Sequence, residues 1–327
     1  MMLASGASCA IGFSGRLFAQ TQRLAGDQPE AFRKVPRVGI LWLGSASQGS
    51  GLSAPLIRRL GELGYVEGAT VVIDFRAASD SRKLVDQAED LVRSKADVIV
   101  ALGGEVREVA HNVTGTIPIV AVGGSDPIAE HWVGSLARPG SNVTGMTVMV
   151  PQLGQKQLEL LQMAVPRLQR VAAIMTKMTD GPKLQDAAQK LSLDLIILLV
   201  KDHSDIAKAI ETATAERAHA FLALPTPLIY EHRAELARRA IDAGLPSVSV
   251  LPALAEAGFL MSYGAIYDTI VRRAAEYVDK ILKGASPRDL PIEQPRDFEF
   301  VVNRATAKAL GIELPKTLLL RVTRFVD

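Results

Sequence analysis

The sequence predicts an α/β protein of two lobes, each a parallel β-sheet wound with helices, and three observations predict it. The first is the stretch Ala96–Glu130, which reads strand, glycine loop, helix, strand, glycine loop. Asp97–Leu102 and Ile117–Val122 are continuous apolar runs, as strands buried on both faces should be. Gly103-Gly104 and Gly123-Gly124-Ser125-Asp126-Pro127 close them, so two successive strands end in loops at one carboxyl edge. Open α/β sheets place ligands at that edge, where loops and helix N-termini converge. The second observation is strand–helix alternation along almost the whole chain. The third is the break Arg138-Pro139-Gly140-Ser141-Asn142, beyond which the same plan starts again.

Taken in order, Arg37–Leu43 is the first buried strand, ending in Gly44-Ser45. Leu52–Leu63 carries a helical stripe of Leu52, Leu56, Leu60 and Leu63, stopped by Gly64. Thr70–Phe75 is a strand. Lys83–Lys95 is an amphipathic helix with Leu84, Ala88, Leu91 and Val92 inward. Past the break, Val143–Val150 is extended. Helices follow over Gly154–Ala164, Lys183–Leu191, Ser204–Arg217 and Leu228–Ala243. Between them run strands over Arg170–Thr176, Leu193–Val200, Ala220–Leu224 and Pro246–Val250. Gly258–Tyr263 is a short strand, and Tyr267–Leu282 a long helix closed by Lys283-Gly284. Ala285–Pro295 is extended, Phe298–Val302 a strand, Asn303–Leu310 a short helix, and Gly311–Pro315 turns into an extended tail. These late elements suit a chain that recrosses between lobes.

The chain has 327 residues, more than one core usually serves, and 48% hydrophobic residues with only 5% aromatic. Its 37 basic and 35 acidic residues are interspersed, which gives nucleic acid and anionic membranes no footing. The single cysteine, Cys9, leaves the folded part without disulfides, cysteine–metal sites or thiol catalysis. Residues 1–34 read as a leader, with small apolar Met1–Phe13 and Leu17-Phe18-Ala19 before Gln20. The alternative is a disordered N-terminus.

No G-x-G-x-x-G follows the first strand, and neither a P-loop nor a G-x-S-x-G elbow occurs, so no cofactor is expected. The five histidines (His111, His131, His203, His219 and His232) show no ligand spacing, and no metal is expected either. Charges on the candidate cleft loops are few: Glu105, Asp126 and Asp180. Asp126 before Pro127 also reads as a helix N-cap, and Glu105 as a first-turn carboxylate on a helix dipole. Asn112-Val113-Thr114 and Asn142-Val143-Thr144 are formal glycosylation sequons, read as accidental. Binding without a catalytic constellation is the reading left.

Several segments carry a family likeness. Arg37–Leu43 with Leu63-Gly64-Tyr65-Val66-Glu67-Gly68, Thr116-Ile117-Pro118-Ile119-Val120, Leu136–Gly145 (LARPGSNVTG), Leu260–Gly264 (LMSYG), Pro291–Pro295 (PIEQP) and Ala307–Gly311 (AKALG) resemble the solute-binding proteins of ABC transporters. The branch is the one often labelled tryptophan/tyrosine uptake, and the likeness runs from about Arg37 to Asp327. It implies a type I periplasmic-binding fold: two Rossmann-like lobes, a three-segment hinge and a solute clamped between them. Lobe one would be 35–147 plus 263–290, and lobe two 148–262 plus 291–327. The implied ligand contacts are Gly44, Ser45, Gly104, Glu105, Ser125 and Asp126 from lobe one. Thr176, Thr226, Val250 within Ser249–Leu251, and Tyr263 near the crossover complete them.

The sequence departs from the family where Glu105 replaces a small hydroxyl residue, where Met175-Thr176-Lys177 replaces an asparagine-bearing loop, and where aromatics are absent near Ser249–Leu251. These departures point away from an aromatic amino acid and toward an amine-bearing solute. The expectation is therefore a monomeric, periplasmic, non-enzymatic protein that delivers a small solute to an inner-membrane ABC permease. Two rivals are a ligand-sensing domain of the same fold and an α/β isomerase working through Glu105 and Asp126.

Overall fold

Among the described residues, twelve strands form two sheets wound in the same order by twelve α-helices. The computed structural model describes residues 34–124, 127–128, 131–148, 150–178 and 181–327. The leader reading, Ser125, Asp126 with its N-cap, and Asp180 lie outside these residues.

The first sheet runs β2-β1-β3-β4-β5, all parallel: β1 Arg37–Leu43, β2 Val72–Ala78, β3 Val98–Leu102, β4 Ile119–Val122 and β5 Val143–Met146. β3, β4 and β5 are buried along their whole length, which is why β3 and β4 read as unbroken apolar runs rather than alternating ones. Helices α1 (Ala46–Glu62), α2 (Ser81–Arg93) and α3 (Gly104–Val113) connect them. Asp80 caps α2, its side chain accepting from the amides of Arg82 and Lys83. That cap sets the helix start two residues before the predicted Lys83.

The second sheet runs β12-β11-β10-β9-β8-β6-β7, from β6 (Arg170–Met175), β7 (Asp194–Leu199), β8 (Ala220–Ala223), β9 (Ser247–Ser249), β10 (Met261–Ala265), β11 (Phe298–Asn303) and β12 (Arg324–Val326). Its first five members repeat the topology of the first sheet in parallel register. β11 then pairs antiparallel to β10, the one reversal among the described strands. Helices α4 (Val150–Ala164), α5 (Gly181–Lys190), α6 (Ser204–Ala215), α7 (Pro227–Glu231), α8 (Arg233–Asp242) and α9 (Pro252–Glu256) follow in order. The chain closes with α10 (Tyr267–Leu282), α11 (Arg304–Ala309) and α12 (Lys316–Leu319).

Three segments connect the sheets. The chain leaves the first between Met146 and α4, returns after Ala265 so that α10 packs beside α1 and against β3–β5, and leaves again through Glu293–Asp297 into β11. Where they meet, the Thr147 amide donates to the Glu293 carbonyl (3.0 Å) and the Glu293 amide to the Gly145 carbonyl (2.9 Å). Arg273 of α10 grips the Glu293 carboxylate with Nη2–Oε1 at 2.6 Å and Nε–Oε2 at 2.9 Å. That bidentate cation holds the carboxyl below its usual range. The fully buried Tyr277 donates to the Pro291 carbonyl at 2.6 Å, and burial pushes its phenol up.

Several elements differ from the sequence reading, among them the expected extended tail after Pro315, which instead forms α12 and β12. Helix α1 begins at Ala46, not Leu52, because Gly49 lies under the Trp42 indole, where a Cβ would come within 2.4 Å of the ring. A glycine that reads as loop is thus demanded by packing. The predicted helix Leu228–Ala243 is two helices broken at His232 (φ −101°, ψ 19°). The extended run predicted over Val143–Val150 forms β5 only to Met146, and the helix predicted from Gly154 already starts at Val150. Asn142 is buried, its Nδ2 donating to the carbonyls of Thr114 and Ile117, both at 2.9 Å, so this sequon is a structural bolt. Among the described residues no helix is long and apolar enough to cross a membrane.

Candidate functional site

Each doubly wound sheet has a switch point where its strand order reverses, between β1 and β3 in the first sheet and between β6 and β8 in the second. The carboxyl ends of those four strands line one cavity of about 160 Å³ between the sheets. From the first sheet come Trp42 of β1, Leu102-Gly103-Gly104-Glu105 after β3, and Val122-Gly123-Gly124 after β4. From the second come Met175-Thr176-Lys177 after β6, Leu224-Pro225-Thr226-Pro227 after β8, and Leu251 after β9. Tyr230 of α7 and Tyr267 at the start of α10 complete the wall.

The wall is mostly apolar, and three aromatic rings dominate it. Trp42 meets Tyr230 edge to face, with centroids 6.1 Å apart and planes at 89°. The Arg233 guanidinium covers the ring of Tyr230 at 4.4 Å. Burial raises the phenols of Tyr230 and Tyr267, so both stay neutral hydroxyls through the physiological range. Nε1 of Trp42, which is 4% exposed, has no partner among the described residues.

A few polar groups complete the lining. Gly103, with φ 111°, caps α3 without a side chain, so the first-turn amides of that helix are open. Glu105 lines the cavity and accepts from Ser81 Oγ at 2.7 Å through Oε1, while Oε2 has no partner among the described residues. Thr226 caps α7, its Oγ1 accepting from the Ile229 amide at 3.3 Å, which leaves its hydroxyl proton free to donate.

The two lobes touch across the cavity mouth. The Glu231 carboxylate accepts from the Ser45 amide at 3.1 Å and from Ser45 Oγ at 3.3 Å, at the N-terminus of α1. Arg233 Nη1 donates to Gln48 Oε1 at 2.8 Å, and Lys177 Nζ pairs with Glu108 Oε2 at 2.5 Å. That ammonium holds the Glu108 carboxyl below its usual range. Gly44 makes the first contact possible: it sits at φ 134°, and a Cβ there would come within 2.7 Å of Trp42 Nε1 and 3.0 Å of Glu231 Oε2.

Of the residues expected at the site, Gly104, Glu105, Thr176 and Thr226 lie in the cavity wall. Gly44 and Ser45 are outside the lining, Ser45 being bonded to Glu231 and Gly44 packed close to Trp42. Val250 is buried and is not part of the wall, which its neighbour Leu251 lines instead. Tyr263 also stands off the wall, stacked on Phe298 with centroids 6.0 Å apart and giving its carbonyl to Gln157. The aromatic-poor cleft expected from Ser249–Leu251 is corrected: Trp42, Tyr230 and Tyr267 supply the rings from other segments. Nothing local in the sequence marks these three, since the strand interior, the helix stripe and the helix start each explain one.

Residues 52–326 match the model of a family described as ABC transporter substrate binding protein. A protein of Clostridioides difficile (strain R20291) described as a tyrosine-binding protein is 26% identical over 264 residues, covering 79% of this chain and 75% of its own. The ABC domain from Streptococcus pneumonia solved in complex with L-Trp superimposes with a TM-score of 0.82 at 23% identity, over 89% of this chain and 99% of that one. A conserved domain protein from Vibrio cholerae gives 0.84 at 24% identity, over 90% and 100%. The architecture is the type I periplasmic-binding fold.

Proposed function

The chain belongs to the ABC transporter substrate-binding protein family, and on that premise we propose that it is the extracytoplasmic receptor of an importer for an amino acid with a bulky apolar or aromatic side chain. The observation that carries this reading is the wall itself: three aromatic rings around a mostly apolar chamber, with Glu105, Thr176 and Thr226 as polar groups in the lining. An amino acid has the same division. Its side chain would lie among Trp42, Tyr230 and Tyr267. Its α-carboxylate would take the open amides at the start of α3 and the hydroxyl of Thr226 or Thr176, and its ammonium the free oxygen of Glu105. The L-Trp ligand of the streptococcal structure and the tyrosine named for the clostridial relative support this class.

Glu105 thus serves the amine common to all amino acids rather than a cationic side chain. Solute binding would favour the state in which Glu231, Arg233 and Lys177 reach the opposite lobe, because only there do both walls touch the ligand. That closed surface would be what an inner-membrane permease reads. The protein would act as a monomer, delivered by its N-terminal segment to the periplasm, and would transport without turnover. The test is a thermal-shift and calorimetric screen of the purified chain against the twenty amino acids, amines and carboxylates. A melting-temperature rise confined to aromatic or large apolar amino acids is the expected result. A response only to diamines or to dicarboxylates would overturn the assignment.

A further inference from the structure

We propose that this protein binds one divalent transition-metal ion of the zinc class at His203, His232 and Glu235, a site separate from the solute cavity. His232 and Glu235 stand three residues apart where α8 begins, on one face of that helix. His203 precedes α6, which packs beside α8. One ligand atom from each of the three lies within 4.8 Å of the others. The two imidazoles are stacked, centroids 4.1 Å apart and planes at 16°. His203 Nε2 is 2.7 Å from Glu235 Oε2. Arg239 Nε holds the other oxygen, Oε1, at 2.8 Å, orienting the carboxylate and leaving Oε2 to face the rings.

An ordinary histidine–carboxylate pair accounts for His203 but not for His232. His232 instead brings a second imidazole nitrogen within 4.8 Å of that pair, with its ring packed on His203, and neither contact uses it. Two imidazole nitrogens and one carboxylate oxygen make the mixed donor set of zinc and its neighbours, with a fourth position for water. Calcium and magnesium want oxygen alone. The position also matters: His232 is the joint between α7 and α8, flanked by Glu231 and Arg233, both of which reach the first lobe. An ion there would fix that joint.

The experiment uses the full chain without a histidine tag, stripped with chelator. Zn²⁺ is titrated calorimetrically and Co²⁺ by visible absorption, alongside His203→Ala, His232→Ala and Glu235→Gln. His203 is largely exposed (57%), so its variant keeps the fold, which circular dichroism without metal verifies. The expected result is one equivalent bound with micromolar affinity, Co²⁺ bands of a low-coordinate nitrogen–oxygen site, and a loss of at least about tenfold in each variant. Absence of binding at stoichiometric protein, or equal affinity in His203→Ala and His232→Ala, would overturn the proposal.

Discussion

Replacing Glu231 by glutamine tests whether the contact between lobes contributes to solute affinity. The substitution keeps shape and removes charge. In this structure the Glu231 carboxylate receives two hydrogen bonds, from the amide and hydroxyl of Ser45, at 3.1 and 3.3 Å. It also faces the positive end of α1, a 17-residue helix with no side-chain cap of its own. Hydrogen bonds to a charged group contribute about 1 kcal/mol more than neutral ones, and a helix end adds about 0.3–1 kcal/mol to a nearby anion. Both bonds are long and the site is half-buried, so the combined loss is about 1–2 kcal/mol. If the open state predominates without solute, that loss passes into apparent affinity, because only the closed state binds fully. Kd should rise about five- to thirtyfold, since 1.4 kcal/mol is a factor of ten. Calorimetry on both proteins measures it, and the melting temperature without solute should barely move. Unchanged or tighter binding in Glu231→Gln would refute the reasoning, and tighter binding would mean that Glu231 competes with the solute for the start of α1.

Three further outcomes follow from the geometry. The chain has two tryptophans, and only Trp42 lines the cavity, Trp132 lying under the Arg107 guanidinium at 4.3 Å; solute should therefore change the emission of Trp132→Phe as it does the wild type, and Trp42→Phe should be silent. Glu108, held low by Lys177, adds to closure fully above about pH 4–5 and loses that contribution as pH falls through its depressed value. Both groups are half exposed, so affinity should weaken on acidification by less than about 1 kcal/mol through this pair, a component missing in Glu108→Gln when the two are titrated with solute from pH 7 to 3.5. Asn142→Ala leaves the carbonyls of Thr114 and Ile117 unpaired in a buried place and should lower stability by about 2–3 kcal/mol in urea unfolding; a loss under 0.5 kcal/mol would show that water replaces the amide.

Parallel strands buried on both faces announce themselves, and β1 and α10 fall on their predicted residues. The glycine loops after β3 and β4 were legible for the same reason, as were the cavity positions Gly104, Glu105, Thr176 and Thr226. What stayed hidden depends on partners distant in sequence. The Leu228–Ala243 stripe looks continuous, yet the helix breaks at His232, where Glu231 and Arg233 both turn toward the other lobe. The aromatic wall is assembled from a strand end, a five-residue helix and a helix start, so no window of sequence contains it. His203 and His232 likewise meet only because α6 and α8 lie side by side. Val250 and Tyr263, site residues by likeness alone, are not in the cavity lining: Val250 is buried just past the end of β9, and the Phe298 and Phe300 rings hold Tyr263 in the sheet.

Because the chain passes between the sheets three times, neither half of the molecule corresponds to one uninterrupted stretch of coding sequence. A fragment ending at Met146 would lack α10, which covers the first sheet beside α1; one beginning at Val150 would carry α10 with nothing to cover. Splitting the gene there should yield two insoluble pieces, not two working modules. A protease that nicks one crossing, by contrast, leaves two others spanning the gap, so the cut protein should stay assembled and still open and shut. The same threading that makes the halves inseparable keeps them from drifting apart when one crossing is cut.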